Sequence, residues 1–268
     1  MNAKNKWNRI TRSLFTISLI ITVLALQGCG GSSSETTPVT NANPTGYYDA
    51  TGTAGVKQTN DTTDLVISDL QGMVNGDRFI MMSTAAGLHY DGTITTISGN
   101  SFNANVIIYK DGQNPFSATI AGTITEGSQI TGSLTGTGAG NGTFTLVYGQ
   151  FNDVVSSLSS VQTGIGEWRT SIGGASDETL FYVNSSVISD SGASADGFFQ
   201  GCKFSGTITP ITNTSLYEVN FTFSACSPNT AANVNYVGLA ANVDNNNDQL
   251  LLAATDANNL FSVNGLFL

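Results

Sequence analysis

The 268-residue chain has one histidine (His89), three cysteines, five prolines and only 10% charged residues. One histidine excludes multi-histidine metal sites and most histidine-based catalysis. Basic residues are scarcer than acidic ones, nine against nineteen, and four of the nine (Lys4, Lys6, Arg9 and Arg12) fall in the first dozen positions. The rest of the chain lacks the clustered Lys and Arg that phosphate neutralisation requires, so no nucleic-acid partner is expected. No apolar run reaches the roughly 20 residues a membrane-spanning helix needs. At 40% hydrophobic residues the chain is nevertheless too apolar to be wholly disordered, and 30 glycines without a triplet period are not collagen.

What is present begins with an address. The basic segment 1–12 is followed by thirteen apolar or hydroxyl residues, Leu14–Leu26. Basic-then-apolar order at this length is that of a secretory signal. Removing residues 1–28 leaves five basic residues against nineteen acidic ones, a formal charge of −14. Residues 30–45 carry no large apolar side chain beyond Val39, and read as a flexible tether.

The sequence Leu26-Gln27-Gly28-Cys29 resembles the lipobox of bacterial lipoproteins. The resemblance implies cleavage before Cys29, acylation of its thiol and attachment to a membrane through two or three acyl chains. Two chains suffice for stable anchoring, because each buried methylene contributes about 0.8 kcal/mol. Gly30 rather than Asp after the cysteine implies, by similarity to Gram-negative lipoproteins, the outer membrane.

From Gly46 onward the pattern has period two. Phe102, Ala104, Val106 and Ile108 alternate with mostly polar neighbours, as do Phe144, Leu146 and Tyr148, and Tyr217, Val219, Phe221 and Phe223. Turn signals such as Asn75-Gly76, Asp111-Gly112, Glu126-Gly127 and Asn141-Gly142 separate the runs. This predicts an all-β protein of half-buried antiparallel strands. Gly46-Tyr47-Tyr48 and Gly166-Glu167-Trp168 each open a series of strand-length segments. The expected organisation is therefore two tandem antiparallel meander domains, barrel-like or sandwich, at 46–150 and 163–268. A short helical linker at 151–162 would join them, with Asn152 as its N-cap. One long sandwich through both halves is the alternative. The Gly-aromatic start and the meander loosely resemble calycin-type barrels such as lipocalins, and the barrel lobes of Gram-negative surface lipoproteins. A membrane-embedded barrel shares the alternation, but here the outward faces are Thr, Ser and Asn.

Few constellations carry chemistry. Cys202 and Cys226 remain after lipidation of Cys29, and in an exported chain the pair reads as a disulfide. Both lie twelve residues from Thr214, but symmetric pairing would set apolar Ile208 against Asn220, so a bulge or an asymmetric turn is required. His89 and Asp91 share one face of a strand, where they could hydrogen-bond. No G-x-S-x-G or S-x-x-K accompanies them to supply a nucleophile, so the plainer reading is one exposed or hydrogen-bonded histidine on a strand. Asp244, Asn246 and Asp248 have the alternate-oxygen spacing that opens a calcium loop, yet Gln249 and Thr255 occupy the places of its Gly and Glu. The same run makes an ordinary hairpin loop. Gly136-x-Gly138-x-Gly140-x-Gly142 has neither the spacing nor the Lys of a phosphate loop and reads as a turn.

These features lead to an expectation of a membrane-anchored, non-catalytic envelope lipoprotein that acts as a binding or interaction module, without a cofactor. Its partners would be the membrane, through the anchor, and an envelope protein or a small apolar ligand. Two alternatives differ in class: a carrier holding the apolar ligand inside a barrel, and a hydrolase using carboxylates or His89 with Asp91.

Overall fold

The structure, a computed structural model, describes residues 40–58, 63–110, 113–153, 156, 167–171, 178–184, 187–190, 203–224, 234–244, 249–258 and 262–267. Cys29, Cys202, Cys226, Asn246 and Asp248 lie outside the described residues.

Eight strands form a closed antiparallel barrel: β1 (Gly46–Lys57), β2 (Asp64–Asn75), β3 (Arg78–Ser83), β4 (Leu88–Ser98), β5 (Ser101–Lys110), β6 (Phe116–Thr125), β7 (Gln129–Gly136) and β8 (Gly142–Tyr148). Each pairs with the next, and β1 closes the ring on β8. Closure bends β1, whose register shifts twice around Gly52. A side chain at Gly52 would meet the carbonyl oxygens of Leu70 at 2.4 Å and Thr145 at 2.8 Å, so the corner admits only glycine. The tight turns use the predicted glycines: Gly76 and Gly127 have φ of 60° and 65°. Asn141-Gly142 behaves differently, because a 3-10 turn at Gly138–Gly140 precedes it and Gly142 already pairs with Val56.

The alternation places Phe102, Ala104, Val106 and Ile108, with Ile120, Phe144 and Leu146, inside the barrel. The interior is filled. A cross-barrel row runs Phe102–Gly122–Gly132–Phe144 through consecutive strand pairs. The space above its two glycines is occupied by rings: Phe102 Cε1 lies 2.5 Å from the Cβ position of Gly122, and Phe144 Cε1 and Cζ lie 2.7 Å from that of Gly132. Phe79 stands between the two rings, with centroids 6.0 Å and 6.1 Å away.

The second half is an eight-stranded antiparallel meander: β9 (Glu167–Ser171), β10 (Glu178–Asn184), β11 (Val187–Asp190), β12 (Lys203–Pro210), β13 (Leu216–Ser224), β14 (Asn235–Asn242), β15 (Leu250–Asp256) and β16 (Ser262–Phe267). Its end strands β9 and β16 approach each other. The parity conflict read from the sequence is resolved at the β12–β13 turn. Ile208 pairs with Val219 and Phe204 with Phe223, one residue off symmetric pairing about Thr214. Asn213 adopts φ of 61° there, an asymmetric turn closed by Ile211 N donating to Leu216 O at 2.9 Å.

Of the linker read as helical at 151–162, residues 151–153 belong to a 3-10 turn at Gln150–Asp153, and apart from Ser156 the rest lies outside the described residues. Asn152 does not cap a helix. Its side chain accepts from Tyr47 N at 2.7 Å and donates to Tyr47 O at 2.6 Å, while Ser215 Oγ donates to it at 3.3 Å. Residues 40–45, the distal part of the expected tether, are seated on the barrel. Ala42 is buried and pairs with Gly99, and Tyr48 Oη donates to Pro44 O at 2.7 Å.

Barrel and second sheet belong to one compact unit, residues 39–268. Their seam is apolar: Tyr47, Met73, Ile80 and Met82, pointing out of the barrel, pack with Leu216, Leu239, Ala241, Leu251 and Ala253. Strands β3 and β15 are therefore buried on both faces, which is why Phe79–Met82 and Leu250–Ala254 do not alternate.

Candidate functional site

At one end the seam turns polar and opens into a cleft of about 790 Å³ between the barrel wall and the ends of β14 and β15. Outward positions of β3 to β7 form one wall, and Val237, Thr255 and Asp256 form the other.

The floor is a fixed cluster. Arg78 Nη2 donates to Asp91 Oδ2 at 2.6 Å and to the Val237 carbonyl at 2.8 Å, and the Thr255 hydroxyl donates to the same Asp91 oxygen. The pair is mostly buried, with 26% of the Arg78 side chain and 11% of the Asp91 side chain exposed. It ties the barrel to β14 and β15 of the opposite sheet.

His89 is placed otherwise than expected. It does share the outward face of β4 with Asp91, but no hydrogen bond joins them, because Asp91 is taken by Arg78 and Thr255. His89 is neither exposed nor hydrogen-bonded: it is 1% exposed, and neither ring nitrogen has a partner among the described residues. Its neighbours across the sheet are Met82 and Tyr109, and the Tyr109 ring lies 5.5 Å away at 33°. Burial pushes the imidazole down to about 4; the Asp91 charge raises it and the Arg78 charge lowers it. Burial likewise raises the Tyr109 phenol, reinforced by Asp91 and Asp256. The imidazole is sealed beneath the seam and held neutral at pH 7.

The calcium reading rests largely on residues outside those described. Within them, Asp244 Oδ1 accepts from Gln249 N at 3.2 Å, next to the Val243 N to Gln249 O bond at 3.0 Å. No group of three or more His, Cys, Asp or Glu side chains is arranged for a metal ion among the described residues.

Sequence reading did not identify Arg78, Thr255 or the row of small polar side chains on the cleft wall. Their only signal was the pair of non-alternating runs, Phe79–Met82 and Leu250–Ala254, marking strands that meet another layer. The chain matches no protein-family profile, no curated protein and no solved structure.

Proposed function

We propose that this protein is a lipid-anchored, non-catalytic module of the bacterial outer membrane that binds an envelope partner in the cleft at its seam. The filled interior of the first barrel carries this reading. With Phe102 and Phe144 lying over Gly122 and Gly132, that barrel has no room for an apolar cargo, and the large cleft lies outside it. The lipobox cysteine supplies the attachment. The polar outward wall, with Thr93, Asn105, Thr119 and Thr135 exposed, suits water and a polar partner rather than acyl chains. The cleft's ion pair serves as a structural tie, which favours binding over hydrolysis.

Replacing Cys29 by Ser should move the protein from the membrane to the soluble fraction and abolish labelling by radioactive palmitate. Retention of the variant in the membrane, unlabelled, would refute lipid anchoring. Native mass spectrometry of protein taken from its host tests the carrier alternative: a stoichiometric bound lipid would favour the carrier.

A further inference from the structure

The register of the barrel wall sets five polar side chains in one line across the strands. Arg78 on β3 stands beside Thr93 on β4, Thr93 beside Asn105 on β5, Asn105 beside Thr119 on β6, and Thr119 beside Thr135 on β7. All five line the cleft, and the four beyond Arg78 are exposed. Strands lie about 4.8 Å apart, so the row spans roughly 19 Å, with one hydrogen-bonding group per step.

The chemistry of the row narrows what it can hold. Thr and Asn side chains each donate and accept, so a ligand must offer both functions repeatedly along its length. Among the described residues the cleft has three carboxylates, Asp77, Asp91 and Asp256, against the one guanidinium of Arg78, which Asp91 already holds; an anionic chain is repelled. No aromatic side chain among the described residues lines it, and an apolar ligand would strip water from the hydroxyls without replacing their hydrogen bonds. A peptide that adds a strand needs an open sheet edge, and this wall is closed, its backbone groups already paired. A neutral chain of hydroxyl-bearing rings meets every requirement, and its advance per pyranose unit is close to the inter-strand step.

We propose that the cleft binds a neutral oligosaccharide laid across strands β4 to β7, hydrogen-bonded to Thr93, Asn105, Thr119 and Thr135. The proposal rests on the reading of the protein as a binding module and names its ligand class.

The test is equilibrium dialysis of the full mature lipidated chain, in micelles of a detergent without a sugar headgroup, against labelled maltohexaose, cellohexaose, chitohexaose and hexalysine. At least one of the three neutral hexasaccharides should bind saturably below about 10 mM, the weak range expected of a site without stacking rings. Asn105→Leu and Thr119→Val, both at exposed positions, should each weaken that binding about fivefold or more. Val66→Ser, at an exposed position outside the cleft, should leave it unchanged. Absence of binding by all three sugars, or binding indifferent to the row variants, overturns the proposal. Hexalysine bound in their place, and lost with Asp77→Asn, overturns it while leaving a binding module of another class. Release of shorter sugars from the bound probe would keep the site and overturn the non-catalytic reading.

Discussion

His89 shows at the scale of one residue how burial decides chemistry. A histidine beside an aspartate in sequence suggests a dyad, yet the imidazole is shut under Tyr109 and Met82, and the aspartate turns to Arg78. Its protonation is then a stability term. The folded value, about 4, lies below the ordinary 6.5, so the neutral form is favoured in the folded state. The associated stability is fully present above pH 6.5 and is lost as pH falls toward 4, because the unfolded chain takes the proton first. A separation of that size corresponds to about 3 kcal/mol. Because His89 is the only histidine, its titration by ¹⁵N NMR is unambiguous and should centre near pH 4. Urea titrations at pH 4 and pH 7 should show His89→Leu losing about 3 kcal/mol less stability on acidification than the wild type. An imidazole titrating near 6.5 would show that the side chain is not sealed.

Among the elements, the two interior glycines of β6 and β7 are not equivalent. A methyl at Gly122 would meet the Thr131 carbonyl at 2.4 Å as well as the Phe102 ring, and a backbone oxygen in a closed ladder cannot withdraw. At Gly132 the three nearest atoms all belong to side chains, the Phe144 ring at 2.7 Å and Ile120 Cγ2 at 3.3 Å, and these can shift. Gly122→Ala should therefore cost about 2–3 kcal/mol and Gly132→Ala about 1 kcal/mol, compared by thermal unfolding. Equal losses would show that the barrel yields at both positions alike. The strands themselves were readable because alternation and turn residues act locally: Phe102–Ile108 and Phe144–Tyr148 fall within β5 and β8. The helix-like spacing of Phe151, Val154, Val155 and Leu158 falls mostly on residues outside those described, and within them Asn152 spends its side chain on Tyr47 and Ser215.

For the whole molecule, the question is whether barrel and sheet unfold together. Their seam buries four outward barrel side chains against five from the second sheet, and all nine are at most 3% exposed. That continuity predicts one cooperative transition in the wild type. Ile80→Asp would place an unpaired carboxylate in the dry seam and should uncouple the halves. Trp168 on β9 is the only tryptophan after Trp7, so fluorescence of the mature chain follows the second half while circular dichroism follows both. The two probes should coincide in the wild type and separate in Ile80→Asp, with Trp168 changing at lower urea. Coincident midpoints in the variant would show that the seam does not couple the halves.

The sequence by itself determined the strand-forming segments, their turns and the polarity of the barrel's exposed wall, because each depends on neighbours within a few residues. It also carried the parity of β12 against β13, and so the need for a bulge or an asymmetric turn, of which the structure has the turn at Asn213. Only the tertiary structure decided that β1 closes on β8, that β3 and β15 meet across a dry seam, and that Arg78, Thr93, Asn105, Thr119 and Thr135 stand in one row. Those outcomes depend on pairing between strands far apart in the chain. A shift of one residue in register reverses which face each side chain occupies, and no local pattern states which sheet will cover an apolar run.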